Sequence, residues 1–243
     1  MKRVIIIGAT SGIGLELTKL FIKNGDKVGV TGRRSHLLDE LQRQFPPQVS
    51  TECFDVMGSD NIIHLRSLIE KLNGLDLLIY SSGYGDISES LDWKIDRQTT
   101  LTNVNGFVEI VNHTFNYFVK QGHGQIAAIS SIAAIRENSQ APAYSASKAY
   151  MSMYMAGLYL KARRIRKRDP KIKIAITDLQ PGFVRTKMAK GKGRFWEAPL
   201  EKAASQIFTA IRKQKRKVYI TRRWALIAWL LKWMPHFIIK RFA

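Results

Sequence analysis

The sequence predicts an α/β fold: one domain built on a doubly wound parallel sheet. Three observations carry this. Short apolar runs rich in Val, Ile and Leu recur along the chain, separated by longer stretches with helical periodicity. The runs are continuous rather than alternating, as expected of strands buried on both faces. A length of 243 residues is ample for one such domain and short for two.

Residues 4–7 read as the first strand. The run is too short for the apolar core of a signal peptide, and Gly8 ends it. A helix follows, with Leu15, Thr18, Leu20, Phe21 and Ile22 on its period. Residues 28–31, 51–56, 75–80, 126–130, 172–179 and 218–220 supply six further strands, with helical patterns between them. The basic stretch 161–168 prolongs a helix as far as Asp169-Pro170. Residues 187–199, rich in Gly and Lys, read as a mobile loop. The expected division is a catalytic, nucleotide-binding domain over 1–220 and a basic, aromatic, amphipathic helical tail over 221–243.

Gly8, Gly12 and Gly14 follow the first strand and open a helix. Glycine permits the tight turn and lets backbone N–H groups approach a pyrophosphate, which a helix N-terminus attracts. Thr10 and Ser11 add hydroxyl donors, and Ile13 lies in the same turn. A glycine-rich turn with no ligand is the plainer alternative. The second strand bears on which dinucleotide. An acid at its end would bind the ribose hydroxyl of NAD, whereas arginine accommodates the 2′-phosphate of NADP. This chain has Thr31-Gly32-Arg33-Arg34-Ser35 and no acid before Asp39. Arg33 and Arg34 sit at a helix start, where the dipole disfavours cations. That argues against idle surface charge and for NADP(H).

Tyr144 and Lys148 lie one helical turn apart in Tyr144-Ser145-Ala146-Ser147-Lys148, and Ser131 is thirteen residues upstream. A phenol with a pKa of about 10 is a poor proton donor or acceptor at neutral pH. A nearby ammonium lowers that pKa by favouring phenolate, and positions four apart on a helix meet. A serine hydroxyl can donate to a substrate oxygen and stabilise developing negative charge. Singly, such residues are common on any helix or strand end. Jointly they suit reduction of a carbonyl.

Further segments fall in order around this set: Asp55-Val56, Asn103-Val104-Asn105-Gly106, Ile129-Ser130-Ser131 and Pro181-Gly182-Phe183-Val184-Arg185-Thr186. With them, the chain resembles the short-chain dehydrogenase/reductase family in its single-domain form, from residue 4 to about residue 220. The resemblance implies a Rossmann-like fold with the cofactor at the carboxyl ends of the strands. It implies a catalytic set of Asn103, Ser131, Tyr144 and Lys148. In that set Lys148 also binds the nicotinamide ribose and Asn103 holds a water in a proton relay. Asp55, with Val56, matches the segment that contacts adenine. Pro181, Gly182, Val184 and Thr186 match the segment that passes the nicotinamide carboxamide. Two sites depart from the family. Tyr80-Ser81-Ser82-Gly83 replaces the usual Asn-Asn-Ala-Gly, although Ser81, Ser82 and Gly83 are still expected beside the cofactor. Ile7 stands where Thr is frequent, a loss of one hydrogen bond on the order of 1 kcal/mol.

The charge is unevenly distributed. Residues 1–160 carry 15 basic and 15 acidic side chains, and residues 161–243 carry 24 basic and 4 acidic, so the whole +20 lies in the second part. No acid follows Glu201. A field of one sign implies anionic partners, or else a solvated basic surface. Trp224, Trp229 and Trp233 punctuate an apolar segment flanked by Arg222-Arg223 and Lys232, with Lys232, His236 and Lys240 spaced by four. It is too short to span a bilayer. It suits the interface of an anionic membrane, or packing over the cleft or against another subunit. Arg163, Arg164, Arg166, Lys167 and Arg168 could contact phosphates, but no nucleic-acid motif accompanies them, and no such partner is expected. A lone cysteine, Cys53, excludes an internal disulfide and a cysteine-based zinc site, and no metal is expected.

The expected function is hydride transfer between NADP(H) and a carbonyl or alcohol, hydrophobic or lipid-like. The expected enzyme is a cytoplasmic carbonyl reductase, dimeric, and peripheral at the inner face of a membrane. The alternative is a non-catalytic NADP(H)-sensing protein on the same fold. A sensor has no need of the full Ser–Tyr–Lys set.

Overall fold

The computed structural model describes residues 1–88, 90–186 and 196–235. The first half alternates β1 (Arg3–Ile7), α1 (Gly12–Lys23), β2 (Lys27–Gly32), α2 (Ser35–Gln44), β3 (Val49–Cys53), α3 (Asn61–Lys71) and β4 (Leu77–Tyr80). Then come α4 (Trp93–Thr100), one π-helical turn (Leu101–Asn105), α5 (Gly106–Gln121), β5 (His123–Ile129), a 3-10 turn (Ile132–Ala134) and α6 (Pro142–Arg168). The order closes with β6 (Lys173–Pro181), α7 (Leu200–Arg212), β7 (Lys217–Ile220) and α8 (Trp224–Trp233). All seven expected strands are present. The expected loop over 187–199 lies outside the described residues except for 196–199.

The strands form one parallel sheet in the order β3-β2-β1-β4-β5-β6-β7. Alternation along a strand sends side chains to opposite faces. Val4 and Ile6 therefore enter one core with Leu17 and Phe21 of α1, Leu38 and Leu41 of α2, and Ile207 and Ile211 of α7. Ile5 and Ile7 enter the other, with Leu65 and Leu68 of α3, Phe107, Ile110 and Phe118 of α5, and Met151 of α6. Both faces are covered, which makes the sheet doubly wound.

Strand order reverses between β1 and β4, the switch point at which such sheets hold ligands beyond their carboxyl ends. The two segments nearly touch there. A side chain on Gly8 would come within 2.7 Å of the Ser82 backbone. Gly8 also has φ of +84°, so glycine is needed on both counts.

Most strand limits shift by one to three residues from expectation, and three of these shifts have a clear physical reason. β5 begins at His123, because Gly124 and Gln125 pair with Ile174 and Ala175 although neither is apolar. β3 ends at Cys53 rather than 56, since Asp55 and Met57 turn the chain, with the Met57 N–H donating to Asp55 Oδ1 at 3.1 Å. β4 starts at Leu77. Asp76 and Leu75 precede it, and the Asp76 carboxylate holds Arg3 at 2.6 Å.

Candidate active site

Each strand of the central sheet hands one segment to the same edge. After β1, the chain turns through Gly8, Thr10 and Ser11 into α1. Ser11 is the N-cap residue yet makes no cap bond, and no acid lies in the first turn of Gly12, Ile13 and Gly14. The first N–H groups and the positive end of the dipole are thus left to an anion. Gly14 packs against Gly8 so closely that a Cβ would clash with the Gly8 carbonyl. The Gly8 N–H donates to Thr31 Oγ1 at 3.2 Å. That hydroxyl comes from β2, the neighbouring strand, while Ile7 is wholly buried in the core.

The two arginines part company. Arg34 Nη2 donates to Thr10 Oγ1 at 2.7 Å and to Ser11 Oγ at 2.8 Å, and Nε reaches Thr10 Oγ1 at 3.2 Å. Its guanidinium therefore lies on the glycine turn. Arg33 instead pairs with Asp55 at 3.2 Å, on the rim. The donor set of N–H groups, two hydroxyls and a guanidinium suits the phosphates of a dinucleotide. Val56 is buried, and its carbonyl lies against Gly106, where any Cβ would clash.

On the far side, Ser81 donates its N–H to the Ile7 carbonyl at 2.9 Å, and Ser82 and Gly83 follow. Pro181 ends β6 and Gly182 follows it. Val184 bridges to Ala198, and the Thr186 methyl lies 3.7 Å from where a Cβ of Gly12 would be. The segment after β6 is thereby brought to the glycine turn.

Ser131 leaves β5 as the N-cap of the 3-10 turn, its Oγ accepting from the Ala133 N–H at 3.1 Å. The Oγ hydrogen remains to be donated. Tyr144 and Lys148 occupy the first turns of α6, and the Tyr144 ring rests on Gly85, where a Cβ would clash with it. The Ser131 hydroxyl lies beside the Tyr144 phenol and favours its ionised form. Lys148 is buried, with Nζ 5.7 Å from the Tyr144 ring centroid. Nζ donates to the Ile129 carbonyl at 3.0 Å.

The electrostatics depart from the expected lowering of the phenol. Burial pushes Tyr144 up from 10.0, and the Ser131 hydrogen bond only partly opposes this. Burial brings Lys148 itself down to about 8, with Asp178 acting in the other direction. Asp178 is 4 % exposed and accepts from Ser130 Oγ at 2.5 Å, Ser152 Oγ at 2.7 Å and Gln180 Nε2 at 3.1 Å. This buried carboxylate ties β5, β6 and α6 together directly behind the site.

Asn103 is fully buried in the π turn. Its Nδ2 donates to the Tyr84 carbonyl at 2.7 Å and to Ser147 Oγ at 2.9 Å, and its Oδ1 accepts from the Tyr84 N–H at 2.9 Å. The side-chain amide is thus committed to holding the segment after β4 that carries Gly85. Thr31, Gly85, Ser147 and Asp178 also build the site although none was expected there from the sequence; of these, only Ser147, between Tyr144 and Lys148, stands at a position that points to it. Among the described residues, no cluster of His, Cys, Asp and Glu could hold a metal ion.

A family model described as short chain dehydrogenase matches residues 2–195. An uncharacterized oxidoreductase of Staphylococcus epidermidis is 25% identical over 193 residues, covering 78% of this chain and 81% of its own. A probable NADP-dependent dehydrogenase of Haemophilus influenzae is 29% identical over 183 residues, covering 74% of this chain and 70% of its own. A short-chain dehydrogenase from Streptomyces avermitilis shares the fold with a TM-score of 0.75 at 20% identity, over 99% of each chain. The family model spans the glycine turn, Ser131, Tyr144 and Lys148 alike, and the protein belongs to the short-chain dehydrogenase/reductase family of oxidoreductases.

Proposed function

We propose that the protein transfers a hydride between NADP(H) and a carbonyl or alcohol of hydrophobic, lipid-like character. The observation that carries this is the assembly of Ser131, Tyr144 and Lys148 beside a glycine turn clasped by Arg34. A bound nicotinamide would supply or accept the hydride. In the reducing direction, Tyr144 gives its hydroxyl proton to the substrate oxygen while Ser131 donates a hydrogen bond to that oxygen. Lys148 holds positive charge below the phenol, which stabilises the phenolate left after transfer. Gly8, Thr10, Ser11, Gly12, Ile13 and Gly14 take the pyrophosphate, and Arg34, with Arg33 outside it, takes the 2′-phosphate. Asp55, Val56, Ser81, Ser82, Gly83, Pro181, Gly182, Val184 and Thr186 line the remaining length. Asn103 acts here as a positioning residue through Tyr84.

NADP(H) also accords with the name of the Haemophilus influenzae relative. A hydrophobic substrate is supported by the apolar bank Ile132-Ala133-Ala134 that follows Ser131, and by Phe183 stacked edge-on to Trp224 at 5.6 Å. A dimer is supported by the outer face of α6. Tyr150, Met153 and Leu160 are 44 %, 75 % and 59 % exposed on one stripe, and Gly157 between them leaves room for a second helix. We assign the enzyme to the cytoplasm, peripheral at the inner face of a membrane.

The test is NADPH oxidation, followed by absorbance, across a panel of ketones and aldehydes of increasing chain length. Turnover rising with chain length is the expected result. Tight NADPH binding with no oxidation across the panel would favour the sensing protein instead.

A further inference from the structure

Helix α8 has two apolar faces, and its packing uses only one. Trp224 and Ala228 are buried, and Ile227 and Leu231 partly so. Leu226, Trp229, Leu230 and Trp233, at helical spacing on the other side, are 58 %, 59 %, 44 % and 75 % exposed. A contiguous apolar patch with two tryptophans on a protein surface marks an interaction site.

We propose that this stripe docks on an anionic lipid surface and that α8 links that surface to the catalytic cleft. The link rests on the reading of the cleft as a site for a hydrophobic carbonyl or alcohol. Charge complementarity selects the partner. Arg222 and Arg223 flank one end of the helix, Lys232 lies near the other, and no acid follows Glu201. Basic residues at an anionic leaflet add roughly fivefold each to partitioning, and indole rings favour the headgroup level. Among the described residues no helix is long and apolar enough to cross a membrane, and α8 has ten residues, which suits lying in the interface plane.

The inner face connects this surface to the chemistry. At one end, the Trp224 indole fills the space over Gly182, where any Cβ would clash. At the other end, Arg136 donates to three carbonyls at the C-terminus of α8. Nε reaches Leu231 O at 2.5 Å, and Nη2 reaches Met234 O at 2.5 Å and Lys232 O at 3.3 Å. A guanidinium suits the negative end of the helix dipole. Gly182 belongs to the segment after β6, and Arg136 lies between Ser131 and Tyr144. Helix α8 therefore ties together the two banks of the cleft. A bilayer seated on its outer face lies about one helix diameter, ~10 Å, from that cleft, close enough for an apolar substrate to enter without crossing water.

The test is sedimentation of the full chain with phosphatidylcholine vesicles, with and without phosphatidylglycerol, at low and high salt. The comparison variant is W229S/W233S. Both side chains are exposed, so an unchanged thermal melt shows that the fold is kept. Truncation before Trp224 would instead uncover Gly182 and confuse docking with folding. Sedimentation is expected only with phosphatidylglycerol, weakening at high salt as charge is screened, and at least tenfold weaker for the variant. Failure to sediment at low salt would overturn the proposal, as would a variant that sediments like the wild type. Self-association lost in the variant, without vesicle binding, would assign the stripe to a second copy and overturn it too. Sedimentation does not read turnover. A chain that binds vesicles but oxidises no NADPH would refute the enzyme reading and leave docking intact, and the reverse outcome would do the opposite.

Discussion

Removing the Arg34 guanidinium should separate the phosphate of NADPH from everything else the cofactor offers. Arg34 is held by Thr10 and Ser11, both on the glycine turn, so Arg34→Ala has two effects. It frees two hydroxyls, which shifts the turn for NADH and NADPH alike. It also removes a charged donor from the 2′-phosphate, which only NADPH carries. A hydrogen bond to a charged group contributes about 1.5–3 kcal/mol. The NADPH affinity should therefore fall by about tenfold to 150-fold more than the NADH affinity. Arg33 should behave differently. Its side chain is 59% exposed and already faces Asp55 at 3.2 Å. Exposed pairs are worth about 0.2–1 kcal/mol, so Arg33→Ala should change the cofactor ratio by about fivefold or less. Calorimetric dissociation constants for both cofactors, in wild type and both variants at fixed ionic strength, give the double ratio directly. Equal losses of NADH and NADPH in Arg34→Ala would show that Arg34 only shapes the turn, and the assignment of the phosphate site would fall.

Three further outcomes are expected. Tyr144→Phe should abolish turnover while leaving NADPH affinity within a few-fold, whereas Lys148→Ala should harm both; single-turnover and binding measurements distinguish these, and a Tyr144→Phe enzyme above a tenth of wild-type rate would remove the phenol from its role. Glu52 is held down to about 2 because donors from Lys71, Ser67 and His64 outweigh its burial. A depressed carboxylate stabilises the fold above its unfolded pKa of about 4.3 and loses that contribution as pH falls through about 2. Glu52→Gln should therefore cost about 1–2 kcal/mol at pH 7 after allowance for solvent screening, and denaturant curves should converge with wild type near pH 2.

The architecture was legible because a parallel sheet covered on both faces writes itself as apolar runs, with Val4 to Ile7 and Leu77 to Tyr80 buried throughout. It was less legible where pairing recruits polar residues, as at His123 and Gly124 in β5. Residues that act by backbone shape or fixed spacing, such as Gly8, Gly14, Tyr144 and Lys148, could be read directly. Long-range bonds from a side chain to another segment could not. Thr31 to Gly8 spans 23 positions, Asn103 to Tyr84 spans 19, and Arg136 to Leu231 spans 95. None of these leaves a local pattern. Nor could the sequence show that burial raises the phenol, because that depends on what encloses it. The tail illustrates both sides: its composition offered membrane or packing, and the structure gives Trp224 to packing while exposing Trp229 and Trp233.

The amide of Asn103 takes both the N–H and the carbonyl of Tyr84, as a neighbouring strand would. A side chain here supplies one more rung beyond the last backbone pair of β4. Gly85, the residue after it, is the floor on which the Tyr144 ring lies. The floor is therefore set when the chain folds, before any substrate arrives, and ordering it takes nothing from the free energy of binding. If Tyr144 is the proton donor proposed above, it would meet the substrate already aimed, with the entropy of aiming it spent in folding.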